Sequence, residues 1–372
     1  MYNWQLPDWP HFKYDGSKID NSIDFERRAG RLSGIVEGMS AESRDETIVE
    51  VMVSEAIKTS AIEGEFLSRE DVASSIRRNL GLKPDLRQVH DEKALGASAL
   101  MVDVRRTFDQ PLTKSMLFSW HKSLMRGTTG INAGQWRFQH EPMQVVSGPI
   151  GKEAVHFEAP PSSMVPELMR SFVNWFNASG PGGTHEIHRP VIRSAIAHVY
   201  FESIHPFEDG NGRIGRSISE KALSQVLGHP VILSLSRTIE KDKTAYYEHL
   251  KLAQRSNELT PWIKYFQSVV MAAQEEAEEL VDFTLAKVRL LDRVKEELNP
   301  RQLKAILRML EEGPAGFGGG MTARKYMGIN KTSKATATRD LQHLVIQGIL
   351  SPLGGGRSTA YQIRLVPFER SQ

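Results

Sequence analysis

A chain of 372 residues is longer than one ordinary hydrophobic core supports, and it predicts two or three domains. Its 40% apolar and 25% charged residues match a globular protein and exclude a disordered one, while the near-neutral net charge of +2 hides an uneven distribution. With no cysteine the chain can form neither disulfides nor thiolate metal centres, so any metal must sit on oxygen or imidazole.

The opening "MYNWQLPDWPHFKYD" lacks a basic patch followed by an apolar run, and no stretch reaches the roughly 18 apolar residues of a membrane helix. The expectation is a soluble, cytoplasmic protein without a secretory leader. Residues 1–20, aromatic and proline-rich without a period, predict an extended arm packed on the body. Residues 23–62 read as helix, with Ile48, Val51, Met52, Glu55 and Thr59 on neighbouring turns and Gly64 as a stop. Helical spacing resumes through "DEKALGASALMVDVRRTF" and "TKSMLFSWHKSLM". There Leu117, Trp120, His121 and Leu124 share a face, which predicts a core or rim role for His121.

In "MQVVSGPIGKEAVHFEAPP" two β-prone runs, 143–146 and 154–157, flank a Gly and Pro turn and predict a hairpin. After the helical "PELMRSFVNWFNAS", a helix over "HRPVIRSAIAHVYFESI" runs into "HPFEDGNGRIGR", and "RIGRSISEKALSQVLG" leaves it as another. Residues 205–216 therefore predict a tight loop between two helices. Farther on, Val281, Leu285, Val288, Leu291, Val294 and Leu298 form a stripe that predicts a packing or homodimer seam. From "NPRQLKAILRMLEEG" onward three helices and the glycine-turned hairpin "SPLGGGRSTAYQIRL" have the layout of a winged helix-turn-helix. Residues 298–372 hold eleven Lys and Arg against four Asp and Glu, a net +7 that leaves −5 for the rest. That basic tail points either to a polyanion partner or to a solvated basic surface.

The interhelical loop carries the chemistry. "GNGRIG" spells a dinucleotide fingerprint, but no βαβ unit surrounds it; "EDGNG" lacks the alternating ligands of a calcium loop; "HEIH" is one residue short of a zinc helix. What remains is an anion site. Gly210, Asn211 and Gly212 precede a helix, so free N–H groups and the positive end of the helix dipole point at one spot suited to phosphate. Arg213 and Arg216 lie three apart on its first turn and suit the oxygens of a polyphosphate. Asp209 beside them calls for a bridging cation such as Mg²⁺, His205 at the mouth suits taking a proton from a hydroxyl, and Phe207 reads as an apolar peg.

The twelve residues resemble the Fic family signature H-x-F-x-(D/E)-G-N-G-R-x-x-R at every specified position. The resemblance implies transfer of AMP from ATP to a Ser, Thr or Tyr hydroxyl of a target protein, or of the chain itself. His205 would be the general base, Asp209 the Mg²⁺ ligand, Gly210, Asn211 and Gly212 the anion hole, and Arg213 and Arg216 the phosphate ligands. The hairpin would be the family's flap, which holds the target by strand pairing. "TSAIEG", residues 59–64, resembles the family's inhibitory helix; Glu63, disfavoured at a helix carboxyl end, would there pair with Arg216 and spoil the γ-phosphate site.

The expected fold is mainly α: a Fic-type helical core with a β-hairpin flap, plus a C-terminal winged helix-turn-helix. Boundaries fall at 1–98 (arm and inhibitory region), 99–265 (catalytic core), 266–297 (linking helix) and 298–372 (winged helix). Two rivals stay open: removal of AMP or transfer of another phosphate-bearing group, and a nucleotide-sensing regulator that binds DNA through Lys331, Lys334, Arg339 and Arg357, with a protein contact of the C-terminal domain as the alternative to DNA.

Overall fold

The computed structural model describes residues 1–19, 23–82, 88–147, 154–354 and 359–365. Over these residues the chain is mainly helical and divides into two units, residues 1–38 with 48–277 and residues 39–47 with 278–372. No helix among them is long and apolar enough to cross a membrane.

Where one helical run is expected over 23–62 there are two helices, α1 (Ile23–Glu37) and α2 (Ala41–Ile62). Local chemistry overrides the periodicity there: Gly38 ends the first helix, and the Ser40 hydroxyl accepts the Ser43 N–H at 3.3 Å to start the second. Next come α3 (Arg69–Leu80), α4 (Glu92–Arg106) and α5 (Lys114–Leu124), started by the side chains of Ser68, Asp91 and Thr113. The hairpin pairs β1 (Gln144–Ser147) with β2 (Ala154–Glu158) antiparallel, Val145 opposite Phe157, with an irregularity after Val145. Its turn, 148–153, lies outside the described residues. Helices α6 (Val165–Ala178), α7 (Pro190–Ile204), α8 (Asn211–Leu227), α9 (Leu235–Lys241) and α10 (Lys243–Ala253) follow, and then the long α11 (Thr260–Val294).

Every residue of α7 is buried, because its apolar side chains run all the way round and Arg193, Ser194 and Ser203 find internal partners. Arg193, fully buried, donates to the carbonyls of Ala222 (3.1 Å) and Phe176 (2.8 Å) and to Gln225 Oε1 (2.8 Å). Ser194 donates to the Ser219 carbonyl at 2.8 Å. These bonds fix the offset of α7 against α8 and thereby the loop that joins them. Leu100, Leu117, Trp120, Phe172, Phe201 and Ile218 belong to the core around this pair.

The aromatic arm packs on the body. Asn3, fully buried, donates from Nδ2 to Ser203 Oγ (2.9 Å) and from its backbone to the Gln254 carbonyl (2.7 Å). Trp4 donates from Nε1 to the Glu158 carbonyl on β2 at 2.7 Å, and the Tyr2 ring meets Phe157 edge-on at 5.1 Å. Trp9 and Phe12 pack edge-on against Tyr200.

The second unit holds α12 (Pro300–Leu310), α13 (Ala323–Asn330), α14 (Lys334–Ile346) and the antiparallel pair β3 (Leu350–Leu353) and β4 (Ala360–Ile363), the expected order of three helices and a hairpin. Its core gathers Leu290, Val294, Leu298, Ile306, Leu341 and Leu344. Of the predicted stripe, Val281, Val294 and Leu298 are buried, while Leu285, Val288 and Leu291 are only partly covered and Leu290 turns inward instead. Asp340 is buried where Tyr326 (2.9 Å) and Arg301 (3.0 Å) donate to it. Arg357 lies outside the described residues.

The close approach of α4 to α5 needs a glycine. A Cβ on Gly96 would run into the backbone carbonyl of Ser123, whereas nothing lies within 4 Å of a Cβ on Gly30 in α1. Gly96→Ala is expected to cost about 1–3 kcal/mol of unfolding free energy, and Gly30→Ala to cost nothing or to add up to about 1 kcal/mol. Urea unfolding of the two variants beside the parent checks both; equal midpoints would refute the close approach.

Candidate active site

The loop between α7 and α8 is tied to itself before it can bind anything. Asn211 donates from Nδ2 to the Phe207 carbonyl and accepts the Phe207 N–H at Oδ1, both at 2.9 Å. Phe207 is fully buried, stacked on His121 at 4.0 Å and beside Trp136 at 5.0 Å. His121 accepts the Gly134 N–H at 2.9 Å on Nδ1; burial pushes its pKa down to about 4, so it stays neutral and serves as a packing group. Gly210 caps the start of α8 at φ +79°, and a Cβ there would press on Met125 and Leu124.

His205 ends α7 in the left-handed region, φ 49° and ψ 60°, which turns its ring out of the helix line. Arg137, unremarked in the sequence, holds this turn: it donates from Nε to the His205 carbonyl (2.7 Å), from Nη2 to the Pro160 carbonyl (2.6 Å) and from Nη1 to Ser162 Oγ (2.9 Å). Burial lowers its pKa to about 10, leaving it cationic at neutral pH. A lone Arg in "GQWRFQH" carries no signal that separates it from a surface cation.

Arg213 and Arg216 start α8 almost fully buried, and each leaves one nitrogen, Nε and Nη1 respectively, without a hydrogen-bond partner. Arg216 donates from Nε to Thr59 Oγ1 (2.8 Å) and from Nη2 to the Thr59 carbonyl (3.0 Å) and Glu63 Oε1 (2.7 Å). Burial alone would depress its pKa, but the Glu63 charge outweighs that and raises it. The Glu63 carboxylate also lies where a Cβ on Gly212 would be, against the first turn of α8. Arg213 pairs with Glu65, which in turn accepts from Lys93 Nζ at 2.7 Å. Glu65 escaped the sequence reading because it meets Arg213 only in the folded chain, 148 residues away. Its one trace is a second carboxylate in "IEGEF".

The structure brings His205, Gly212, Arg213, Arg216 and Glu63 together, with one difference at the loop: the Gly210 N–H, expected to face an anion, donates to Asp209 Oδ1 at 2.5 Å. The N–H groups of Asn211, Gly212 and Arg213 open the helix and have no acceptor within it. Asp209 is half exposed, its Oδ2 3.6 Å from Arg213. Among the described residues no group of three or more His, Asp or Glu could hold a metal alone. A single outward carboxylate fits a hard cation shared with phosphate oxygens, not a closed protein site.

Residues 111–223 match the Fic/DOC family, and residues 2–82 match a domain of unknown function, DUF4172. A protein adenylyltransferase Fic of Drosophila mojavensis is 26% identical over 247 residues, 66% of this chain and 44% of its own length. Its counterpart from Drosophila virilis is 25% identical over 245 residues, covering 65% and 46%. The chain thus spans less than half the length of these curated relatives. Among solved structures, a Fic family protein from Desulfovibrio desulfuricans shares the fold at a TM-score of 0.52 and 19% identity, covering 98% of this chain and 99% of that one. A Fic domain containing signaling protein from Bacteroides thetaiotaomicron does so at 0.51 and 18%, covering 67% and 95%. The signature loop and its two flanking helices lie within residues 111–223, the stretch similar to the Fic/DOC family, in a mainly helical chain.

Proposed function

We propose that this chain transfers AMP from ATP to a hydroxyl of a target protein, and that its own Glu63 restrains the reaction. The observation that carries this is two buried guanidiniums, each with an unpartnered nitrogen, converging on the first turn of α8 beside His205. Carboxylates alone neutralise them here. Buried cations of this kind demand an anion, and a polyphosphate supplies the same charge with more oxygens. The adenylyltransferase names of the Drosophila relatives support the reaction class.

In this reading the phosphates of ATP lie over residues 210–212, held by the α8 N–H groups, Arg213 and Arg216. His205 accepts the proton of the incoming hydroxyl as its oxygen bonds to the α-phosphorus; the bond to the β-phosphate bridging oxygen breaks and pyrophosphate leaves. Asp209 would hold Mg²⁺ together with phosphate oxygens, where the ion supplies charge neutralisation. Alignment and charge stabilisation provide most of the rate. The hairpin β1–β2 would present a strand edge to the target. Glu63 on Arg216 denies that guanidinium to the γ-phosphate.

With labelled ATP and Mg²⁺, Glu63→Gly is expected to raise AMP incorporation into protein by about 5- to 150-fold, the span of an ordinary coupling free energy. His205→Ala in that background should abolish it while leaving thermal unfolding unchanged. A parent-level signal from Glu63→Gly removes the restraint. If instead a pre-modified target releases AMP with the parent and not with Glu63→Gly, AMP removal is the reaction.

A second reading concerns the C-terminal unit. Lys331, Lys334 and Arg339 are exposed on the turn before α14 and along it, in a segment with net positive charge. As a winged helix it would place them on DNA phosphates. Gel shifts of the full chain should then weaken steeply with salt, and a Lys331→Ala, Lys334→Ala double variant should reduce the salt slope by about two. Salt-independent binding rules this reading out.

A further inference from the structure

His205 has two ring nitrogens, and only one of them can serve the reaction. Nδ1 is buried and has no hydrogen-bond partner among the described residues, with Glu202 Oε2 facing it at 3.6 Å. The ring as a whole retains 13% exposure, and Glu202 only 6%. Glu202 stands one helical turn before His205 on α7, and the left-handed turn at residue 205 is what swings the ring back over it. Arg137 locks that turn through the His205 carbonyl, so the approach is built into the backbone.

Room for the carboxylate is made on the neighbouring helix. A Cβ on Gly215 of α8 would collide with Glu202 Oε1, which has no hydrogen-bond partner, and would press on His198 at 3.3 Å. Gly215 occupies an unspecified position of the signature, so the motif alone does not account for it. The groups bearing on Glu202 are His198 and His205 from its own helix and Arg216 from α8, while Gln254 donates to its backbone carbonyl at 3.1 Å. His198 is engaged elsewhere, through Nε2 and the Tyr246 hydroxyl at 2.7 Å. Burial pushes the Glu202 carboxyl up, yet the His205 contact and the charges of His198 and Arg216 outweigh it and leave the group below its ordinary range.

We propose that Glu202 is the positioning residue of the catalytic histidine: it holds the neutral His205 ring with the proton on Nδ1 and the lone pair of Nε2 turned to the incoming hydroxyl. This rests on His205 acting as the general base. The step balances within the ring. The hydroxyl O–H bond breaks and an Nε2–H bond forms, the Nδ1 proton stays in place, and the anionic Glu202 stabilises the resulting imidazolium without taking its proton.

The test reads the tautomer directly. In the full chain labelled with ¹⁵N-histidine, and with His205→Gln as the assignment control, the neutral His205 should show a protonated Nδ1 and an unprotonated Nε2. Glu202→Met, which removes the carboxylate facing Nδ1, should shift that population toward Nε2–H. In the Glu63→Gly background, Glu202→Gln should lower kcat for AMP transfer about 10- to 100-fold with KM for ATP unchanged, and Glu202→Asp should recover part of the loss. A parent protein carrying its proton on Nε2 overturns the proposal without any variant, as does an unchanged tautomer in Glu202→Met or an unchanged kcat in Glu202→Gln. A tautomer that shifts as expected in a protein that transfers no AMP leaves the positioning intact and removes the adenylylation reading instead.

Discussion

A guanidinium withdrawn from water must meet an anion, and two of them at the start of one helix dictate much of what surrounds them. Arg213 and Arg216 are buried because α7 and α8 are bonded at a fixed offset and the loop between them is closed by Asn211 and pegged by Phe207. Removing either partner of a buried ion pair is far costlier than forming the pair is rewarding. Glu63 and Glu65 are therefore part of the fold as much as of any regulation: they occupy ground that charge balance does not leave bare. In the proposed reaction a polyphosphate takes over the same duty, so restraint and substrate binding compete for one electrostatic vacancy.

The hairpin, a loop opening at His205 and its flanking helices were legible in the sequence because each depends on neighbours in the chain, although the loop ends at Gly210 and residues 211–216 of the expected loop already belong to α8. Alternation sets β1 and β2, apolar content all round sets α7, and glycine with asparagine marks the turn. Phe207 was readable as a peg because an aromatic ring between polar residues has few other uses. What could not be read depends on distant partners. Glu65, Arg137 and Glu202 are ordinary charged residues until folding brings Arg213, the His205 carbonyl and the His205 ring to them. The break between α1 and α2 was missed for the opposite reason: a local cap at Ser40 overrode a periodicity that runs across it.

The second unit shows how a periodic stripe can be right in kind and displaced in detail. Over 35 residues of α11 the face that meets a core drifts, because the helical repeat does not match a fixed spacing of three or four. Leu290 therefore turns inward where Leu291 was expected, and Val294 and Leu298 rejoin the predicted line. Asp340, a buried carboxylate satisfied by Tyr326 and Arg301, orders the three helices of that unit in a way composition cannot show.

The amino-terminal arm has a bearing on protein engineering. Tyr2, Asn3 and Trp4 brace β2 and the last turn of α7, and Phe157, which Tyr2 covers, lies 6.5 Å from the His205 ring. A change of residue at this end thus alters the wall behind the His205 ring, and a tag fused there would bear on the same wall.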